Sequence, residues 1–144
     1  MGSFNYSTLI VNDDPDAVDR IAGIASALGE SVAVVDNRES FLKLYTPTLR
    51  CIVLELSMPR FCGVEIIRHL ADTRCRATLV LTTGSSPDLL HLARKLAVAL
   101  GITVADVLVK PFELDRVRAA MINATDPAVP GGSGQALNSG PQTR

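Results

Sequence analysis

The sequence has no tryptophan and only four phenylalanines and two tyrosines, so an aliphatic core has to carry the fold. Neither charge is in excess, because 14 lysines and arginines stand against 15 aspartates and glutamates. This balance gives no electrostatic reason to expect binding to nucleic acid or to an anionic membrane. No apolar run approaches the length of a membrane span, and no basic-then-apolar signal opens the chain. The three cysteines lack the spacing of a zinc site and predict reduced thiols in a cytoplasmic protein.

A glycine-rich phosphate loop is also missing after the first predicted strand, where Asn12-Asp13-Asp14-Pro15 stands instead. Carboxylates at this place would repel a phosphate bound at the start of the following helix. The sequence therefore disfavours a nucleotide- or flavin-binding enzyme and predicts no enzymatic activity.

What the sequence does contain is a regular alternation of five short apolar runs with five helical patterns. At 144 residues one domain is the natural count. The alternation predicts an α/β fold with a doubly wound, five-stranded parallel sheet. We expect residues 7–124 to form this domain, after an N-terminal arm at 1–6. Residues 125–144 are rich in Pro, Gly, Ser, Asn and Gln, which predicts a disordered tail or linker.

Polar side chains follow four of the predicted strands at their carboxyl ends. In a parallel sheet these ends meet at one edge, where open α/β sheets place their chemistry. Carboxylates there suit a divalent metal, whereas threonine and lysine suit phosphate oxygens. The residues are Asn12, Asp13 and Asp14 after strand one, Glu55 after strand three, Thr82 and Thr83 at the end of strand four, and Lys110 after strand five.

In this order and spacing, the chain resembles a response-regulator receiver domain over roughly residues 7 to 124. The matching features are the acidic pair after strand one, Glu55 four residues before Pro59, Gly63, a threonine before Gly84, and Lys110-Pro111-Phe112. The resemblance implies a flavodoxin-like strand order 2-1-3-4-5, in which the bond before Pro111 can be cis. It also implies two-component or phosphorelay signalling, with a signalling protein, a histidine kinase or a phosphotransfer protein as partner.

Three departures from the family pattern affect its phosphorylation site. Glu55 stands where receivers carry the phosphoacceptor aspartate, and Val107 replaces an aromatic residue. Asn12 replaces the first acid of the pair, which leaves Asp13 on the metal-binding position and Asp14 just beyond it. With one negative charge lost, we expect Mg²⁺ to be bound weakly by Asp13 and Glu55, and not to be required.

The extra methylene of Glu55 moves its carboxylate by about 1.5 Å, a displacement to which in-line transfer is sensitive. Glu55 is therefore predicted to act as a fixed phosphomimetic or as a disabled phosphoacceptor. The alternative is a receiver still phosphorylated by a histidine kinase, including an engineered Asp-to-Glu variant of one. Thr83 is preferred to Thr82 as the switch hydroxyl, because Gly84 follows it. Lys110 is expected to pair with Glu55 or Asp13.

The fourth predicted helix is apolar on several sides, which predicts either deep burial or a contact surface. The segment from Gly84 to Gly101 is long, and it gives a weaker resemblance to receivers linked to EAL-type phosphodiesterases. We expect helix four, strand five and helix five to bind a partner or a second copy of the chain. The residues expected on this surface are Leu90, Arg94, Ala97, Val107, Val117 and Met121.

Overall fold

Five strands and five helices alternate along the chain, in a computed structural model that describes residues 6–84 and 86–125. Most of the predicted arm at 1–6 and of the predicted tail at 125–144 lies outside the described residues. Thr125 itself belongs to the last helix. The elements are β1 Thr8–Val11, α1 Pro15–Ala27, β2 Val32–Val35, α2 Arg38–Leu44, β3 Cys51–Glu55, α3 Gly63–Asp72, β4 Thr78–Thr83, α4 Pro87–Ala99, β5 Val104–Val109 and α5 Leu114–Thr125.

All strand pairs are parallel, and the sheet has the order β2-β1-β3-β4-β5, which confirms the predicted doubly wound fold. The three central strands are buried along their whole length because helices cover both faces of the sheet. Alternate side chains enter two separate cores. Leu54 and Leu81 belong to the core that includes α3 and α4 residues, whereas Val53 and Val80 belong to the core with α1 and α5.

Local signals in the sequence place the helix ends. The side chains of Asp14, Asn37 and Ser86 accept backbone N–H groups at the starts of α1, α2 and α4, as N-caps do. Gly29 and Gly101 follow α1 and α4 with φ of +87° and +84°, a region that favours glycine. All five residue types are those that favour helix ends, so the ends of these helices follow from local sequence.

Helix α3 faces the core with Ile66, Ile67 and Leu70, whereas Val64 is 37% exposed. The helix begins at Gly63, where a Cβ would lie 2.5 Å from the Leu56 side chain. A glycine at this position leaves room for Leu56 against the start of the helix.

Strand β5 carries Asp106, a carboxylate in a strand expected to be buried. The β4–β5 pairing shifts between Leu79 and Val80, which is the signature of a β-bulge. Asp106 is partly exposed on this edge strand, and its carboxylate accepts a hydrogen bond from Arg116 Nη2 of α5 at 3.2 Å. An edge strand with a bulge and an ion pair tolerates a charge that a central strand would not.

Within the part of the chain that the structure describes, no helix combines the length and the apolar character that crossing a bilayer requires.

Candidate functional site

Glu55 ends β3 with its carboxylate buried, and the residue is only 2% exposed. The Thr82 hydroxyl donates to Oε1 at 2.7 Å. The backbone N–H of Ser57 donates to Oε2 at 3.1 Å, and the Ser57 hydroxyl donates to the same oxygen. A carboxylate removed from water needs such donors, because burying a charge without them is costly. Both oxygens of Glu55 therefore already have partners within the protein.

The hydroxyl that meets Glu55 belongs to Thr82, and not to Thr83 as predicted. Glu55 and Thr82 are direct partners in the parallel β3–β4 register, so their side chains leave the sheet on the same face. Neighbouring side chains in a strand point to opposite faces, which directs Thr83 to the other side. Strand alternation separates the two threonines in the sequence, but the choice between them needs the β3–β4 register, which the sequence alone does not give.

Ser57 is a site residue that the sequence interpretation missed. It lies two residues beyond Glu55, and its hydroxyl also accepts a hydrogen bond from the backbone N–H of Gly84 at 3.2 Å. Serine often forms local hydrogen bonds of this kind across two residues, which was the only sequence signal for it. Ser57 thereby connects the end of β3 to the residue that follows β4.

Lys110 pairs with Asp14, and the expected pairing with Glu55 or Asp13 is wrong. Lys110 Nζ donates to Asp14 Oδ2 at 2.8 Å, while Asp14 Oδ1 accepts the N–H of Asp16 at 3.1 Å and caps α1. The hydrogen bond from Lys110 lowers the pKa of Asp14 below its ordinary 3.8. One aspartate thus serves both as helix cap and as partner of the lysine. The bond between Lys110 and Pro111 is cis.

The three residues after β1 point in different directions. Asn12 is 2% exposed, its Oδ1 accepts the N–H of Asp14 at 2.9 Å, and its Nδ2 is buried without a hydrogen-bond partner. Asp13 is exposed and lines a surface cavity together with Asn12, Asp36 and Asn37. Asp14 lines a different cavity, together with Lys110. The sequence placed all three side chains in one pocket, and the structure separates Asp14 from the other two.

The side chains around Glu55 do not fit the divalent metal that the resemblance implies. Both Glu55 oxygens accept protein donors, Asp13 is exposed, and Asp14 is paired with Lys110. Among the residues that the structure describes, no group of three or more His, Cys, Asp or Glu side chains is placed to hold a metal ion. Such ions are bound by several converging oxygen ligands. The predicted ligand pair of Asp13 and Glu55 is therefore not assembled.

A cavity of about 450 Å³ opens beside Lys110, between the start of α1 and the β5–α5 connection. Asp14, Arg20 and Lys110 give it charged walls, and Phe112 an apolar one. Glu55 is not among its lining residues, so a molecule bound there would meet the Asp14–Lys110 pair and not the Glu55 carboxylate.

Four residues expected on the partner surface lie in the core. Leu90 and Ala97 of α4 are 2% and 0% exposed, and Val117 and Met121 of α5 are 1% and 0% exposed. Met121 Sδ lies 4.0 Å from Cys51 Sγ under the sheet. These side chains form the inward faces of their helices, so the prediction that they contact a partner is wrong.

The remaining two residues of the predicted surface have mixed outcomes. Arg94 is exposed on α4, whereas Val107 is partly buried and packs against the core. Apolar side chains do reach the surface on these elements, but at other positions. They are Leu92, Val98 and Leu100 at 66%, 60% and 42% exposure, Val109 at 39%, and Leu114 and Ile122 at 49% and 37%.

Comparison with known proteins finds relatives of this chain among response regulators. A family model described as the response regulator receiver domain matches residues 8–122. The chain is 27% identical over 130 residues to the transcriptional regulatory protein FixJ of Bradyrhizobium diazoefficiens, covering 89% of this chain and 60% of that protein. It is 29% identical over 116 residues to the transcriptional regulatory protein CpxR of Escherichia coli K12, covering 81% and 47%. The chain thus spans about half of these relatives' length.

A solved structure agrees with these sequence relatives. The crystal structure of a response regulator from Colwellia psychrerythraea matches with a TM-score of 0.69 at 29% identity, covering 82% of this chain and 94% of that one. Fold and sequence therefore point to the same family.

Proposed function

The chain belongs to the response regulator receiver domain family, and we propose that it is a receiver whose state is set by Glu55 without phosphorylation. Receiver domains are signalling domains of two-component systems that interact with histidine kinases or phosphotransfer proteins, and they typically bind Mg²⁺ at the phosphorylation site. In this proposal the chain is not an enzyme, and it acts through contacts with another protein.

The observation that carries the proposal is the burial of Glu55 among donors. Forming an acyl phosphate requires a carboxylate oxygen to attack phosphorus in line, with cations neutralising the charge that develops. Here the residue is 2% exposed and both of its oxygens accept hydrogen bonds. The ammonium group of Lys110 is committed to Asp14. A phosphodonor would have to displace these contacts without help from a converging acidic site.

Of the two roles predicted for Glu55, the contacts favour the disabled phosphoacceptor over an imitation of phosphate. If Glu55 imitated a phosphoryl group, Thr83 and Lys110 would turn toward its carboxylate. Thr82 and Ser57 hold it instead, and Lys110 lies on Asp14. We infer that Glu55 keeps the pocket in one arrangement whether or not a histidine kinase is present.

We propose that the partner is a protein, either a signalling protein or a second copy of this chain. The exposed apolar side chains on α4 and α5, Leu92, Val98, Leu114 and Ile122, support contact with another apolar surface. The near-neutral charge supports no direct role in binding nucleic acid. A cytoplasmic location and the likeness to receivers linked to EAL-type phosphodiesterases stay predictions.

Intact mass spectrometry after incubation with phosphoramidate and Mg²⁺ tests the proposal. We expect the mass of the chain to stay unchanged under conditions that label a receiver with aspartate at this position. A gain of one phosphoryl group that is lost in Glu55→Gln would instead support the phosphorylatable alternative. A gain that persists in Glu55→Gln would place the phosphoryl group on another residue, and it would equally end the proposal of an unphosphorylated receiver.

A further inference from the structure

We propose that Ser57 is a positioning residue that ties the end of β4 to Glu55, and that this tie occupies the place a divalent cation would need. The inference deepens the proposed function, because it names how Glu55 would fix the pocket. It rests on the hydrogen bonds between Glu55, Ser57 and Gly84 and on the chemistry of the groups around the carboxylate.

The direction of the hydrogen bonds at Ser57 follows from its partners. A serine hydroxyl carries one proton and can accept two hydrogen bonds. The backbone N–H of Gly84 can only donate, so the Ser57 hydroxyl oxygen accepts this hydrogen bond, at 3.2 Å. The proton of the Ser57 hydroxyl is then donated to Glu55 Oε2. The backbone N–H of Ser57 donates to the same oxygen at 3.1 Å. A charged acceptor strengthens both bonds.

Gly84 is the first residue after β4 and stands two residues before Ser86, the cap of α4. The backbone N–H of Gly84 donates to the Ser57 hydroxyl. A Cβ at this glycine would lie 3.8 Å from Ser57 Oγ and 3.5 Å from the Lys110 side chain. Ser57 thus fixes the point at which the chain leaves the sheet toward α4.

The surroundings of Glu55 are suited to an anion and not to a cation. Thr82 and Ser57 direct protons at its two oxygens. Asn12 follows Val11, which pairs with Leu54 in the β1–β3 register, and it carries a buried Nδ2 donor without a hydrogen-bond partner. Three of the four lone-pair positions of the carboxylate accept hydrogen bonds, which leaves a divalent cation one position on Oε1, at a metal–oxygen distance of about 2.1 Å for Mg²⁺. The anion that this set of donors accommodates is Glu55 itself.

Nuclear magnetic resonance of the Gly84 amide tests the tie, with three variants. In Ser57→Ala, the Gly84 amide should exchange with solvent about fivefold to tenfold faster, the effect of losing one net hydrogen bond of about 1 kcal/mol. Ser57→Thr keeps a hydroxyl and should restore the parent rate. Thr82→Val removes the other hydroxyl that meets Glu55 and should leave Gly84 unchanged. Ser57 is exposed, so its substitution leaves the core intact.

Titration of the parent protein with MgCl₂ tests the second half of the proposal. The resonances of Ser57 and Gly84 should not move with Mg²⁺. An unchanged Gly84 exchange rate in Ser57→Ala would contradict the claim that Ser57 holds the end of β4. Saturable shifts of the Ser57 and Gly84 resonances with Mg²⁺ would contradict the claim that these hydrogen bonds occupy the place of a divalent cation. Neither of these two measurements involves phosphorylation. Labelling by a phosphodonor could therefore contradict the proposed function while the exchange rate of the Gly84 amide still depends on Ser57.

Discussion

Glu55 and Thr82 lie opposite each other in the β3–β4 register, and the Thr82 hydroxyl donates to Glu55 Oε1 over 2.7 Å. Together with Ser57, this contact ties the carboxylate to two elements at the edge of the sheet. The length of the glutamate side chain is therefore part of the local structure, and not only a change at the phosphoacceptor position.

Shortening this side chain should destabilise the protein. Glu55→Asp withdraws the carboxylate by about 1.5 Å, so it cannot keep its contacts with both Thr82 and Ser57. We expect the free energy of unfolding, measured by urea denaturation, to fall by about 1–3 kcal/mol, as for buried polar groups that lose a partner. Glu55→Gln keeps the length and is the control for charge. An aspartate variant as stable as the parent would show that these contacts do not matter.

On α4, a core position and a surface position lie only two residues apart. Leu90→Ala should lower the free energy of unfolding by about 2–5 kcal/mol, because Leu90 is 2% exposed and its removal leaves a cavity. Leu92→Ala, at 66% exposure, should change it by less than about 0.5 kcal/mol. Urea denaturation of both variants measures the difference. Equal losses would mean that the facing of α4 is wrong.

The Asp14–Lys110 ion pair should make the free energy of unfolding depend on pH in the acid range. Its hydrogen bond lowers the folded-state pKa of Asp14 below the ordinary 3.8. Stability from this pair is therefore fully present above the ordinary pKa, and it is lost as the pH falls through the lower folded-state pKa. Lys110→Met should be less stable than the parent at neutral pH, with the difference disappearing in acid.

Urea midpoints of Lys110→Met and the parent, compared down through the acid range, give this pH dependence, and carboxyl resonance titration should show a raised pKa for Asp14 in the variant. Lys95→Met, on exposed α4, is the control for loss of a positive charge. A gap between Lys110→Met and the parent that persists in strong acid would contradict a role for Asp14.

The cysteine thiols should react in an order set by burial. Burial raises the pKa of Cys51 to about 12, and the residue has no exposed surface. Cys62 is exposed beside the start of α3. A thiol reagent should therefore modify Cys62 first and Cys51 only after unfolding, since the thiolate is the reactive form. In Cys62→Ser the fast phase should vanish. Modification of folded Cys51 at a comparable rate would contradict the packing under α5.

The strands and helix ends could be read from the sequence because their signals are local. Asp14, Ser86 and Gly101 act through neighbours a few residues away. Which side chain meets Glu55 depends on the pairing of β3 with β4, a relation between residues far apart in the chain. Alternation along β4 already separated Thr82 from Thr83, but only the observed register shows which of them shares the face of Glu55.

The same limit explains the errors on α4 and at Lys110. Leu90 and Leu92 are equally apolar, and helical periodicity could not decide which faces the core when several sides are apolar. Asp13 and Asp14 are neighbouring residues of the same type, and the choice between them follows from the cap of α1, which aims Asp14 at Lys110. Composition and spacing therefore predicted that polar residues gather at the carboxyl edge of the sheet. Which of them pair with Glu55 and with Lys110 depends on tertiary structure.

Beryllofluoride added with Mg²⁺ mimics a phosphoryl group without a covalent reaction, so it shows whether Glu55 holds the pocket in one state. Amide spectra recorded before and after the addition report on Thr82, Gly84 and Lys110. We expect the two spectra to superimpose, because three of the four lone pairs of the carboxylate already accept hydrogen bonds and no group of acidic side chains converges on it among the described residues. Saturable shifts at these three residues, abolished in Glu55→Gln, would contradict it.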